Sequence, residues 1–139
     1  MEIDVDYRKG LVPDLEDYGR AVVEITEGDE VLGWCDLYGL RIEDGVPIFQ
    51  GCIETFRQRA GVLRKLIFQS QRALEKICKD NGDPLIHEES FSKGVAEDTP
   101  EALIMLIETL LCNGYQFIPV PEKDKEFTYA QMRKRFEPE

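Results

Sequence analysis

Asp36 is the acid whose setting suits chemistry. It lies in the apolar segment Val31 to Ile42, between Cys35 and Leu37. Strand alternation places it on the face of Trp34 and Tyr38 and opposite its two neighbours. Turned inward, Asp36 is a buried acid and a candidate general base. Turned outward, Trp34, Asp36 and Tyr38 form an aromatic and acidic patch suited to a protein partner. Arg59 falls at the helical-wheel angle of Leu63, Ser70 and Ile77, so its guanidinium must reach water or a carboxylate. That makes Asp36 and Arg59 candidate ligand-binding residues for a pocket between a sheet and a long helix.

Other chemistries find little support. His87, the only histidine, stands in Ile86-His87-Glu88-Glu89, a spacing that does not turn the three side chains toward one point. Pairs such as Glu16-Asp17, Glu43-Asp44 and Glu88-Glu89 fall in segments read as turns, where acids are usually solvated. Cys35, Cys52, Cys78 and Cys112 include no C-x-x-C pair, so they read as small buried residues rather than zinc ligands. No phosphate-binding glycine fingerprint occurs. No catalytic set, metal or cofactor is therefore expected.

Several elements must hold these residues. The segments Arg20 to Thr26, Val31 to Ile42 and Val46 to Ile53 read as strands joined by Glu27-Gly28-Asp29 and Glu43-Asp44-Gly45, whose glycines suit tight hairpins. Residues 1 to 17 give an optional first strand and a loop. Gly33, Gly39 and Gly51 read as bulges in preference to sites of close approach. From about Glu54 to Lys79 the spacing predicts a long helix, with Phe56, Ala60, Leu63, Leu66, Ile67, Ser70, Leu74, Ile77 and Cys78 on one arc of about 120°. Asp80-Asn81-Gly82 ends it. Residues 83 to 97 read as loop. A second helix over about 99 to 112 has a wide apolar face and is expected to be the more buried of the two. An edge strand over Tyr115 to Val120 and a short helix from Thr128 to Phe136 complete the chain.

This order predicts one α+β domain over residues 1 to 139, a two-layer sandwich of an antiparallel meander packed on one face by both helices. The formal charge of -11 over 139 residues disfavours nucleic acid and anionic lipid as partners. The charge is uneven, however: the segment Glu54 to Lys79 holds seven basic and two acidic residues. Its outer stripe carries Arg64, Phe68 and Arg72, a candidate partner surface. With no apolar run long enough to span a membrane and no secretory leader, the reading is a soluble cytoplasmic protein. The leading functional expectation is a non-enzymatic interaction module, an acidic regulator or inhibitor-type protein that binds a protein partner. The alternatives are a small-molecule-binding domain or enzyme with a pocket between sheet and long helix, and a structural homodimer.

Overall fold

The computed structural model of the chain describes residues 1–56 and 60–139. The elements run β1 (Glu2–Arg8), a 3-10 turn (Pro13–Tyr18), β2 (Arg20–Glu27), β3 (Glu30–Glu43), β4 (Val46–Thr55), α1 (Ala60–Asn81) and β5 (Leu85–Ser92). Then come α2 (Lys93–Asp98), α3 (Pro100–Cys112), β6 (Gln116–Ile118), a second 3-10 turn (Glu122–Asp124) and β7 (Thr128–Phe136). Seven strands form one sheet in the order β1-β2-β3-β4-β5-β7-β6. The fold is the expected α+β sandwich of sheet and helices. Among the described residues no helix is long and apolar enough to cross a membrane.

The chain divides into two compact units, Met1–His87 with Arg135–Glu139, and Glu88–Lys134. The first is the meander with α1. Strands β1 to β4 pair antiparallel in sequence, and their turns use the glycines as expected, with Gly28 at φ 61, Asp44 at φ 52 and Gly45 at φ 79. Ala21, Val23, Ile25, Cys35, Leu37 and Phe49 share a core with Val62, Leu66, Ala73, Leu74 and Ile77 of α1. Burial of so many aliphatic side chains, each worth about 1.5–3 kcal/mol, holds the helix to the sheet.

The strand glycines do more than mark bulges. Leu32 and Leu40 are the extra residues of two register shifts, beside Gly33 and Gly39. A Cβ at Gly33 would meet Leu66 Cδ1 at 2.9 Å, the Glu54 carbonyl oxygen at 3.0 Å and Val62 Cγ1 at 3.1 Å. One at Gly39 would stand 2.7 Å from Leu15 Cδ1. Gly33 therefore lets α1 approach β3, and Gly39 admits the buried Leu15 of the first 3-10 turn.

In the second unit α3 is followed by Gly114 at φ 88, and the Tyr115 amide donates to the Leu110 carbonyl at 3.0 Å. β6 pairs antiparallel with β7, placing Phe117 opposite Met132. The Lys93 amide donates to the Phe127 carbonyl at 2.9 Å.

Four expectations need correction. The long helix does not reach back to about Glu54, because Glu54 and Thr55 still belong to β4 while α1 is described over Ala60–Asn81, and Phe56 is exposed. Residues 83–97 hold β5 and α2. The segment Thr128–Phe136 is a strand; its spacing of apolar residues fits either period over so short a run. Finally, α3 is not the more buried helix: only Leu103, Thr109 and Leu110 are buried, while Ile104 and Leu111 are 56% and 46% exposed.

Three predictions follow from this packing. Gly33→Ala should cost about 2 kcal/mol by overpacking, whereas Gly61→Ala, whose Cβ meets nothing within 4 Å, should gain about 0.5 kcal/mol of helix propensity; urea denaturation separates the two. All four thiols are free, Cys52 and Cys112 exposed and Cys35 and Cys78 buried. An aromatic disulfide reagent should titrate the first two in the native protein and the others only after unfolding. Burial first of all pushes the Cys78 thiol upward. A raised thiol contributes stability that is complete below the ordinary value of about 8.5 and is lost as pH rises through the folded value. The urea midpoint should accordingly fall on the alkaline side, and Cys78→Ala should flatten that fall.

Candidate functional site

The first turn of α1 is the place in the first unit where elements converge on a chemical property. A helix leaves its first amide groups without intrahelical acceptors, and its dipole makes that end favourable for anions. The sequence strengthens both effects here. No acidic residue stands in the first turn of this 22-residue helix. Gly61 leaves open space beside the backbone. Arg64 and Lys65 are exposed one turn on, and helical side chains lean toward the N-terminus. The packing of Val62 and Leu66 at Gly33 fixes this turn against β3.

The sheet face turned away from α1 is a second candidate. Register sets Trp34 between Glu24 and Glu54, Asp36 between Val22 and Cys52, and Tyr38 opposite Gln50. Trp34, Asp36 and Tyr38 are all half-buried, so the patch faces outward, as one of the two expectations held. Asp36 does not line a pocket between sheet and α1, since Cys35 and Leu37 occupy that side. It accepts hydrogen bonds from Arg20 Nε at 2.8 Å and Nη2 at 2.7 Å. That pair holds the Arg20 guanidinium above its ordinary value, the hydrogen bond being the main cause. A carboxylate tied in this bidentate way is a structural partner rather than a free base.

The remaining expected residues scatter. Arg59 lies outside the described residues. Arg64, Phe68 and Arg72 are exposed along α1, and the Arg72 guanidinium lies 5.7 Å from the centre of the Phe68 ring. This cation–π contact gives the exposed ring a neighbour within its own helix.

Sequence reasoning missed the acids of β5. Glu88 and Glu89, read as solvated turn residues, are each only 5% exposed. Within the second unit, Arg133 donates to Glu88 Oε1 from Nε at 2.9 Å and Nη2 at 2.7 Å. Gln131 donates to Ser90 Oγ at 3.0 Å. The signal available was the flanking apolar pair Leu85 and Ile86 with Phe91, which bounds a buried strand whose middle is polar. No cluster of metal-ligating side chains occurs among the described residues.

Comparison with known proteins places this geometry. No family model matches the chain, and no curated protein matches it either. Solved structures do share the fold. The chain is similar to an acetyltransferase of the GNAT family from Streptococcus pneumoniae, with TM-score 0.61 and 8% identity over 86% of this chain and 68% of that one. It is similar to yncA from Salmonella typhimurium, whose structure contains its cofactor acetyl-CoA, with TM-score 0.56 and 14% identity over 91% and 69% of the two chains. An N-acetyltransferase from Staphylococcus aureus Mu50 matches with TM-score 0.53 and 8% identity over 99% of both chains. The expectation of a non-enzymatic, protein-binding module is corrected by this likeness: the fold is one that solved acetyltransferases carry.

The buried pair gives a prediction of its own. Arg133 and Glu88 meet through hydrogen bonds between charged groups, a contact worth about 1.5–3 kcal/mol. Arg133→Met should therefore destabilise the protein by about that amount, and adding Glu88→Gln should recover part of it in a double-mutant cycle read by chemical denaturation.

Proposed function

We propose that the protein is an acyltransferase that takes its acyl group from acetyl-CoA and passes it to a small amine. The observation that carries this reading is the likeness in fold to solved acetyltransferases, one of them holding acetyl-CoA. The chain's own residues fit that cofactor at one point. Acetyl-CoA carries a pyrophosphate, and the first turn of α1 offers no carboxylate of its own, open space at Gly61 and the cations Arg64 and Lys65.

Bound there, the cofactor would supply a thioester carbonyl activated toward amines. Within the chain, Gly61 would let phosphate oxygens approach the backbone, because no side chain shields its amide. The first-turn amides would donate to those oxygens along the helix dipole. Arg64 and Lys65 would neutralise the charge, and Val62 and Leu66 would keep the turn in position by their seat on β3. This reading moves Arg64 from a partner surface to a cofactor site.

Finer features belong to the same proposal. A protein partner or a second copy would dock on the Trp34 and Tyr38 face or on the Phe68 and Arg72 stripe. The four free thiols suit a reducing cytoplasm.

Calorimetric titration with acetyl-CoA tests the central part, alongside a thiol-release assay over a panel of primary amines. Micromolar binding and amine-dependent release of free coenzyme A are expected. Arg64→Ala with Lys65→Ala should weaken cofactor binding by about tenfold or more, the equivalent of about 1.4 kcal/mol. Absence of acetyl-CoA binding by the folded wild-type protein would overturn the proposal.

A further inference from the structure

The sheet ends at β1 on one side and at β6 on the other. An edge strand leaves alternate backbone N–H and C=O groups unpaired, and proteins guard such edges with short strands, prolines, bulges or lysines. The strand β6 is guarded, since it is three residues long and runs into Pro119 and Pro121. No such guard protects β1. Its seven residues pair with β2 from Glu2 to Arg8 without a register shift. They include no proline or lysine, and all but Val5 are exposed.

The two faces of β1 differ in chemistry. Ile3, Val5 and Tyr7 stand opposite Ile25, Val23 and Ala21, whose side chains belong to the core beneath α1. This apolar row therefore continues the α1 face of the sheet. Cations border it: Lys65 Nζ lies 3.6 Å from Met1 Sδ, and Lys76 Nζ lies 5.0 Å from the centre of the Tyr7 ring. The opposite face carries Glu2, Asp4 and Asp6. Arg8 holds Asp6, while Glu2 and Asp4 have no ion pair among the described residues. Asp4 also stands directly opposite Glu24 of β2, and like charges so placed repel.

A strand added at this edge would continue the pleat, with each side chain on the same face as the β1 residue opposite it. Cations suit its outer face, where Glu2 and Asp4 wait. On the α1 face Lys65 and Lys76 would repel cations, and Ile3, Val5 and Tyr7 favour aliphatic groups. A second copy of β1 fits badly, because antiparallel registers centred on Asp4, Val5 or Asp6 all set acid opposite acid.

We propose that the free edge of β1 takes up an extended protein segment in which lysine or arginine alternates with aliphatic residues. Its cations lie on Glu2 and Asp4, and its apolar side chains run along Ile3, Val5 and Tyr7. Ladder hydrogen bonds supply the affinity, and the two faces select the sequence. A cation beside Asp4 also relieves the repulsion between Asp4 and Glu24.

Fluorescence anisotropy of labelled peptides titrated with the full chain tests this docking. A peptide alternating lysine with valine should bind saturably. A peptide alternating glutamate with valine, and one with the same lysines and valines grouped in two blocks, should each bind at least about tenfold more weakly. Successive residues of a strand turn their N–H groups to opposite edges. Methylating the amide nitrogens of all the lysines or of all the valines should therefore abolish binding in one case and preserve it in the other. Asp4→Lys, at an exposed position, should leave the circular dichroism spectrum unchanged and weaken the alternating lysine peptide by about tenfold or more. The proposal is overturned if the alternating peptide does not bind, if the two methylated peptides behave alike, or if Asp4→Lys binds as the wild type does. Equal binding of the block peptide, which general attraction to an acidic chain would produce, also overturns it. A dimer of the protein alone that the alternating peptide dissociates, seen by sedimentation, would give the edge to a second copy and overturn it likewise. Acetyl-CoA enters none of these measurements, so failure here and failure of the acyltransferase reading are distinguishable.

Discussion

Because Gly33 has no side chain, Val62 and Leu66 come down onto β3 until they would touch a Cβ built there at 3.1 and 2.9 Å. That approach fixes how closely the first turns of α1 sit on β3. The same seating aligns Ala73, Leu74 and Ile77 with the core of the meander. It brings the far end of the helix beside the ends of β1 and β2. One missing methyl group thus sets the seat of α1 on the sheet.

Local chemistry made much of the first unit legible. Asp44-Gly45 declares its hairpin because both residues adopt positive φ, and few residue types do so cheaply. The end of α1 was equally plain: Gly82 takes φ 70, and its amide donates back to the carbonyls of Cys78 and Lys79. The second unit resisted for a different reason. The middle of β5 is His87, Glu88 and Glu89, and nothing local reveals that Glu88 will find Arg133, 45 residues away. Alternation was hidden by buried polar groups whose partners come from tertiary structure. Residues Tyr129, Met132 and Phe136 likewise fit a helix until pairing of β7 with β6 settles the matter.

The functional misreading has a physical source too. Looking for histidines, paired acids and thiols finds sites made of side chains. A site of the proposed kind, made chiefly of backbone amides at a helix start, would leave almost no mark except what is missing, here acidic residues in the first turn and a side chain at Gly61. The unevenness of charge was the usable signal. A chain of net charge -11 that concentrates seven cations in the one segment from Glu54 to Lys79 can still hold an anion there, and overall acidity says nothing against it. Asp36 shows the converse case: its type and setting suggested a base, but its pairing with Arg20 makes it an anchor.

The most direct measurement is an amide-resolved NMR titration of the folded protein with coenzyme A. The account predicts that the backbone amides of Gly61 to Lys65 shift first and furthest, saturably, while those of Lys76 to Asn81 stay still. Saturable binding that leaves the first turn of α1 unperturbed would contradict it.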